Sequence, residues 1–399
     1  MMTLPGYKEL TKEKEIITFL EPNNIYISLK DGDKLKEIKI DDYINKHEII
    51  GERKNGLSFH SSVSGTIEKI TDNYICIKND QKEKSSIEEK SNMPVTKQKF
   101  VKLLKEKGIS GMGGTGFPTY IKYNTDGIKY LVVNAVECEP YITADYKLTI
   151  IKAKEIIKIL YDLIEIIKLK KVVIGVKKTN LEMIKELEKH IKNDKIEIKI
   201  VDNAYPMGYE RLLIKKALNI SYQRLPKEKG IVVNNINTIY SIYEMLYLNK
   251  PVTERIVTIT GDIENTTNVL VKVGTKVKDI LEKLKIKVED KCIIMGGPMM
   301  GDVISDDEII TSYTNSILIK EVNNNASEEC LRCGKCDFIC PVNLSPVLIK
   351  DNHNDKEEIL KLKVDRCCEC GLCSYICPSK IKVREYVRKA KELLKEENK

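Results

Sequence analysis

Tryptophan is absent from these 399 residues, and only 5 are phenylalanine. That shortage argues against the aromatic platform on which single-stranded nucleic-acid binders stack bases. No run of 18 apolar residues occurs. The longest apolar segment, 150–169, is broken by Lys152, Lys154, Glu155, Lys158 and Asp162, so it reads as an amphipathic helix and not a membrane span. The opening residues, MMTLPGYKELTKEK, hold no apolar signal region, and no secretory leader is expected. Blocks of like charge are missing too. Net charge is +8, but Lys and Glu are interspersed as on a solvated surface, and no nucleic-acid partner is expected.

Cysteine is not scarce. There are 12, and the C-terminal part arranges most of them in two runs. Cys330, Cys333, Cys336 and Cys340 precede Pro341; Cys367, Cys370, Cys373 and Cys377 precede Pro378. Both runs read C-x2-C-x2-C-x3-C-P, the spacing of bacterial two-cluster ferredoxins. Three closely spaced thiolates converge on one cubane, while the fourth points away and ligates the other. The expected ligand sets are therefore Cys330, Cys333, Cys336 and Cys377 for one [4Fe–4S] cluster, and Cys367, Cys370, Cys373 and Cys340 for the second. Structural zinc needs neither the third cysteine nor the closing Cys-Pro. A disulfide framework belongs to small secreted chains. Cys368 is left over within the second run, and Cys76, Cys138 and Cys292 are scattered.

The remaining chain divides by pattern. Residues 1–78 read as short strands forming a small β-sandwich, with Asp31-Gly32 and Ser64-Gly65 as hairpin turns. The stretch around Phe59, His60 and Gly65 resembles the hairpin of lipoyl-like domains but offers no lysine at a tip. His60 is expected to be a packed or surface residue. Residues 79–95 are polar and read as a linker.

Residues 96–250 carry an α/β pattern. A helical stretch, 96–107, leads to Gly111-Met-Gly113-Gly114-Thr-Gly116-Phe117-Pro118. The letters match G-x-G-x-x-G, but that turn must follow a strand and open a helix. What the four glycines do offer is bare backbone amide, suited to a phosphate or a flat ring. Strands at 130–136, 171–176 and 196–201 alternate with helices at 144–168, 180–192 and 210–218, which implies a mostly parallel sheet with ligands at the carboxyl ends of its strands. Those ends carry Asn134, Glu137, Cys138 and Glu139, then Tyr205, Gly208, Tyr209 and Glu210, then Asn234, Asn235 and Thr238. Residues 251–322 return to strands around a short helix at 277–284, a β-grasp pattern, with a loop at 295–301 expected to pack against the preceding domain. Residues 323–399 hold the cysteine runs and a last helix whose apolar face is Val383, Tyr386, Val387, Ala390, Leu393 and Leu394.

Four of these motifs resemble the FMN- and NADH-binding flavoprotein subunit of respiratory complex I. They are Gly111-x-Gly-Gly-x-Gly-Phe-Pro-Thr119 with Lys122, Asn134-x-x-Glu137-x-Glu139-Pro140, Tyr205-x-x-Gly208-x-Glu210, and Val233-Asn-Asn-x-x-Thr238. Glu137-Cys-Glu-Pro-Tyr-Ile-Thr-Ala-Asp145, Met295-Gly-Gly-Pro-Met-Met-Gly301 and the double cysteine run resemble, more closely still, the C subunit of the Rnf electron transport complex. Departures from the complex I flavoprotein fall at Thr125, Val136 and Tyr209.

The resemblance implies an α/β fold: a flavin/NADH-binding sheet domain flanked by a lipoyl-like N-terminal β-sandwich, a β-grasp domain of SLBB type and a C-terminal α-helical two-cluster ferredoxin domain. It implies FMN, NAD(H) and two [4Fe–4S] clusters as cofactors. Gly111, Gly113, Gly114 and Gly116 would line the FMN and dinucleotide pocket. Lys122 would reach phosphate, and Phe117 would stack on adenine. Asn134, Tyr205, Gly208, Asn234 and Asn235 would hold FMN, while Glu137, Glu139 and Glu210 would border nicotinamide and flavin as the catalytic positions. The activity implied is that of an ion-translocating ferredoxin:NAD+ oxidoreductase. The partners would be its integral-membrane and iron–sulfur subunits and, indirectly, ferredoxin. The chain would sit peripherally on the cytoplasmic face of the membrane. Two other readings stay open: a soluble NADH-oxidising relay feeding a reductase such as proline reductase, and a non-catalytic iron–sulfur adaptor with a degenerate flavin pocket.

Overall fold

The computed structural model describes residues 1–88, 95–322 and 327–395. Its centre is a parallel sheet of β1 (Tyr130–Ala135), β2 (Lys171–Lys177), β3 (Ile196–Val201) and β4 (Ile231–Asn235), in the order β3-β2-β1-β4. Side chains alternate along each strand. Leu131, Val133 and Ala135 of β1 join a core with α1 (Ala144–Ile167), the helices Lys97–Glu106 and Leu181–Glu188, and a helix at 236–248. Val132 turns the other way, to Leu213 and Ile214 of α2 (Glu210–Leu218). With both faces covered, Val and Ile dominate the strands. The chain steps from β1 to β2 to β3, then returns across the sheet to β4 on the far side of β1. That reversal opens a crevice at the carboxyl ends of β1 and β4, the usual place for a ligand in such sheets. From β4 the chain enters α3 (Ile236–Leu248), capped by Asn235, whose side chain accepts from the Asn237 N–H at 2.8 Å.

The helix expected at 180–192 stops at Glu188. Beyond it the Tyr161 hydroxyl takes the N–H groups of Lys192 and Asn193, at 2.7 and 3.2 Å, and bends the chain towards β3.

The N-terminal region packs a four-stranded antiparallel sheet on a three-stranded one around Ile25, Ile50, Ile67, Ile75 and Ile77. Ser64-Gly65 is not a hairpin turn. Gly65 opens the strand Gly65–Ile70, and a Cβ there would lie 1.8 Å from the Lys78 carbonyl oxygen, so glycine is needed for close backbone approach. The turn lies at 71–73, where the Thr71 hydroxyl accepts the Tyr74 N–H at 3.0 Å. The strand Ile16–Phe19 leaves this region altogether and runs parallel to Thr267–Lys272. Its alternation would suit either sheet; only long-range pairing chooses between them. Nor is 79–88 a free linker. Asp80 takes hydrogen bonds from the hydroxyls of Ser64 and Tyr43 at 2.7 and 2.8 Å, and Ser86 N–H bonds to the Lys46 carbonyl at 2.9 Å. The rest of the segment read as a linker, 89–94, lies outside the described residues.

A mixed sheet follows in the order 16–19, 267–272, 254–261, 316–321, 291–295 and 302–304, with the helix Val277–Lys283 against it. A buried ion cluster joins it to the N-terminal sheets. The Lys272 ammonium is fully buried and lies 2.8 Å from Glu83 and 3.0 Å from Glu254, which also pairs with Lys46 and Lys250. The last segment folds as short helices around Leu344, Ile349, Ile359 and Val364, closed by α4 (Val383–Lys395). Of the apolar face expected there, Val383, Val387 and Ala390 are buried, Leu393 and Leu394 pack against that core, and the Tyr386 ring meets His353 edge-on. Among the described residues no helix is long and apolar enough to cross a membrane.

Candidate functional site

The glycine loop lies beside the β1/β4 crevice. It closes on itself through Gly111 N–H to the Phe117 carbonyl (2.7 Å) and Gly116 N–H to the Gly111 carbonyl (3.1 Å). Met112 anchors it: its N–H donates to the Thr238 hydroxyl at the start of α3, and its carbonyl accepts from the buried Arg255 guanidinium at 3.0 Å. The N–H groups of Gly113, Gly114 and Thr115 make no hydrogen bond among the described residues. Three successive free amides form a cradle for an anion. A Cβ on Gly114, which sits at φ 105°, would meet nothing within 4 Å; one on Gly113 would touch only Asn235, at 3.6 Å. The loop therefore presents open backbone. Gly116 is different, because its Cβ would strike the Tyr313 ring at 2.8 Å.

Around the crevice, Asn134 spans to Gly208, donating to its carbonyl at 2.9 Å while accepting the Val136 N–H at 3.1 Å. Lys122 donates to the Val233 carbonyl at 2.7 Å, and burial lowers its pKa against the opposing pull of Glu210. Glu210 itself accepts from the Tyr222 hydroxyl at 3.0 Å. Asn234 donates to the Tyr123 hydroxyl at 2.7 Å, leaving its buried Oδ1 without a partner. Asn235 turns its amide to Asp145. Phe117 is 44% exposed, with the Lys122 ammonium 5.8 Å from its ring centre. Phe117 and Gly116 also line a cleft of about 630 Å³ that runs between the N-terminal sheets and the mixed sheet; His60 lines it as well, its imidazole held down to about 3 by burial.

The two glutamates after β1 face apart. Glu137, at φ 41°, accepts the Asp145 N–H at 2.7 Å, while Lys8 from the N-terminal segment reaches its carbonyl oxygen at 2.8 Å. Glu139 accepts the Met299 N–H at 3.3 Å and lies 3.4 Å from the Tyr205 hydroxyl. Burial pushes both carboxyls up to about 7. A carboxyl near 4.5 unfolded and near 7 folded binds protons on folding between those values, so stability falls as pH rises through that window, by up to about 3 kcal/mol for one group. Glu137→Gln, which keeps an acceptor for Asp145, is expected to lessen the fall of the melting temperature between pH 5 and 7.5, with Glu139 keeping its own share, and to raise it above pH 7. A wild-type slope in the variant would rule this out.

The cysteines gather in two cavities. One, of about 30 Å³, is lined by Cys330, Cys333, Cys336 and Cys377; the other, of about 20 Å³, by Cys340, Cys367, Cys370 and Cys373. Each exceeds the roughly 10–15 Å³ that a single water occupies. All 12 cysteines are free of disulfides. Burial lifts the Cys336 and Cys367 thiols to about 11 and Cys373 to about 12, so they are uncharged until a cationic group takes them as thiolates. Among the described residues no three Cys, His, Asp or Glu side chains are grouped as they would be around a single metal ion.

The second cavity adjoins the crevice. Tyr205 donates to the Cys370 carbonyl at 2.7 Å, and Tyr205, Met299, Cys370 and Leu372 form one apolar cluster. The loop 295–301 is the joint. A Cβ on Gly297 would lie 2.3 Å from Glu139, a Cβ on Gly371 would lie 2.4 Å from the Met299 carbonyl, and Arg384 of α4 donates to the carbonyls of Met299 and Met300 at 3.1 and 2.7 Å. Met295–Gly301 was legible as a motif, but the roles of Lys8, Arg255, Tyr313 and Arg384 had no local signal.

Residues 104–244 match the family model described as the Nuo51 FMN-binding domain, and residues 2–92 match the RnfC barrel sandwich hybrid domain. The C subunit of the ion-translocating oxidoreductase complex from Vibrio cholerae is 32% identical over 392 residues, 89% of this chain and 50% of the relative. The corresponding protein from Buchnera aphidicola subsp. Baizongia pistaciae is 31% identical over 339 residues, 77% of this chain and 66% of the relative. The chain belongs to the C-subunit family of ion-translocating oxidoreductase complexes. Another member, the C subunit of the proton-translocating ferredoxin:NAD(+) oxidoreductase complex of Clostridium ljungdahlii, is 30% identical over 272 residues, 64% of this chain and 60% of the relative. The chain spans about half the length of the first curated C-subunit relatives it matches. Among solved structures, an H2-reduced NAD+-reducing [NiFe]-hydrogenase chain shares the fold at a TM-score of 0.51 and 15% identity, over 73% of this chain and 61% of that chain.

Proposed function

We propose that this C subunit passes electrons between ferredoxin-fed partner subunits and NAD+, through two [4Fe–4S] clusters and FMN. The observation that carries the reading is the adjacency of two sites. The cavity of Cys340, Cys367, Cys370 and Cys373 is tied by Tyr205 and the loop 295–301 to the crevice where free amides and an unpartnered Asn234 oxygen await a ligand. The donor sets suit the groups. Eight thiols in two foursomes match two cubanes, and successive free amides beside Lys122 match a phosphate.

NAD exchanges two electrons as a hydride and a cubane exchanges one, so a flavin between them supplies both kinds of step. The chain's own part is positional. Gly113, Gly114 and Thr115 would hold phosphate with backbone N–H groups, and Lys122 would leave the Val233 carbonyl to add its charge. Asn134 holds Gly208 close to β1. Glu210 lies near the Lys122 end, while Glu139 and Tyr205 stand between the crevice and the cavity of Cys340, Cys367, Cys370 and Cys373. The first cavity lies at the outer end, where Leu331 and the 94% exposed Phe338 face solvent, and is the natural entry from a partner. Na+ or H+ would be moved elsewhere in the complex.

Purified full chain is expected to retain one FMN. Gly113→Ala tests its place: the added methyl meets no protein atom closer than 3.6 Å, so the variant should fold and keep its iron while flavin and NADH-dependent dye reduction fall at least tenfold. Unchanged flavin would move the site elsewhere. With partners present the chain should fractionate with the membrane at its cytoplasmic face. Recovery in the soluble fraction after gentle low-salt lysis would favour the relay that feeds a soluble reductase.

A further inference from the structure

Another cavity, of about 200 Å³, opens at the carboxyl ends of β1, β2 and β3, lined by residues 138–140. Its polar lining is Lys8, Lys12, Lys177, Thr179, Asn180 and Asn203, with Cys138, Glu139 and Tyr205 on the side of the crevice. It contains none of the glycine loop, Lys122, Asn134, Glu210, Asn234 or Asn235, and shares only Glu139 and Tyr205 with the wall of the crevice.

Lys177 is the unusual member. It is the last residue of β2 and only 7% exposed, yet its ammonium has no hydrogen bond or ion pair among the described residues. Buried lysines are ordinarily paired, because an uncompensated charge is costly away from water. The nearby charges do not supply a partner. Lys8 is committed to the Glu137 and Ile142 carbonyls, and its positive charge repels Lys177; Lys12 lies 4.6 Å from the Tyr146 ring centre. Glu137 faces the Asp145 N–H, and Glu139, the acid in the lining, faces Met299. Burial accordingly draws the Lys177 ammonium down to about 8, with Lys8 adding to the fall and Cys138 and Glu137 opposing it.

We infer that this cavity is a binding site for a small oxyanion, a phosphate or a short carboxylate, held by Lys177 and Lys12 with Thr179, Asn180 and Asn203 as neutral donors. Its size is below the roughly 300–1,000 Å³ of pockets that take drug-sized ligands, which restricts the guest to a small molecule or ion. Its position at the carboxyl ends of parallel strands is where α/β sheets place ligands. The site shares Glu139 and Tyr205 with the crevice wall but none of the glycine loop or Lys122, so competition with NADH decides whether its guest is independent of the dinucleotide.

The test is calorimetric titration of inorganic phosphate, and separately of acetate, into the full chain. The chain is loaded with FMN and titrated under anaerobic conditions both without NADH and in saturating NADH, with flavin counted on the same sample. Saturable binding of one probe is expected, weakened at least tenfold in Lys177→Met and retained in Lys177→Arg; which probe binds tells the phosphate from the carboxylate. In anion-free buffer Lys177→Met is expected to melt higher than wild type, because it removes an uncompensated buried charge, whereas a lysine that merely props the fold would melt lower when removed. Absence of binding by both probes, unchanged binding in Lys177→Met, or displacement of the probe by NADH would overturn the assignment. A chain that takes up no flavin fails the proposed function separately, and the titration without NADH still reads anion binding at Lys177 in it.

Discussion

Cys377→Ser is expected to cost the chain about half of the eight irons that two cubanes hold. The loss should fall on the cluster of the first run, 37 residues upstream in register, and not on the run that contains the mutated residue. The reason is geometric. Cys377 lines one cavity with Cys330, Cys333 and Cys336, whereas Cys340 crosses to Cys367, Cys370 and Cys373. The reciprocal change, Cys340→Ser, should spare the outer cluster and remove the one beside Tyr205. Electron transfer from dithionite-reduced clusters to NAD+ should then fall by orders of magnitude, although half the iron remains. Cys368→Ser should leave iron content intact, since Cys368 lines the second cavity beside its four expected ligands without being needed as a fifth. Iron and sulfide analysis after anaerobic reconstitution, with electron paramagnetic resonance of each variant, reads all three. Stoichiometric zinc, or the same cluster lost from both Cys377→Ser and Cys340→Ser, would sink the crossed arrangement.

Lys272→Met should be the most damaging single change away from the cysteines. The Lys272 ammonium is completely buried between Glu83 and Glu254. Glu254 carries further positive neighbours in Lys250 and Lys46, and their pull takes its carboxyl well below the usual range despite burial. Removing Lys272 takes one positive charge out of the cluster while Lys46 and Lys250 still face Glu254 and Glu83 is partly exposed, so the cost lies below the roughly 3–5 kcal/mol of a buried charge left wholly unpaired. The cost lands on the joint between the N-terminal sheets and the mixed sheet, so the N-terminal region should melt early as a separate transition in calorimetry. Replacing Glu254 by Gln in the same chain should recover part of the loss, because it removes the excess negative charge that the missing ammonium leaves in the cluster. A single unshifted transition in Lys272→Met would show that the cluster does not hold the two regions together.

Much of this chain is legible from the order of its residues, and for local reasons. The cysteine runs are readable because their spacing is short and fixed, and the fold gathers them around two cavities. The parallel sheet is readable because strands covered on both faces must be Val- and Ile-rich, and the helix after each must carry an apolar stripe. The strands Ile196–Val201 and Lys171–Lys177 and the helix Glu210–Leu218 lie where those patterns put them, to within a residue. The residues at the strand ends were legible as candidates, since a parallel sheet has one reactive edge.

What the sequence could not decide was which distant segments meet. Ile16–Phe19 alternates as any edge strand does, and only its pairing with Thr267–Lys272 assigns it to the mixed sheet. Segment 79–88 is polar like a linker, yet Glu83 reaches a lysine 189 residues away. Lys177 reads as one more surface lysine in a Lys-rich chain until Lys8, Lys12 and the Glu137–Tyr141 loop close around it. The loop 295–301 announces itself by its glycines, but its place between Glu139, Gly371 and Arg384 comes from three parts of the chain converging. Composition and spacing determine the groups this protein can hold. Burial, and the contacts that create it, determine which charges stand alone and which candidate sites lie side by side, because desolvation and proximity exist only once the chain has folded.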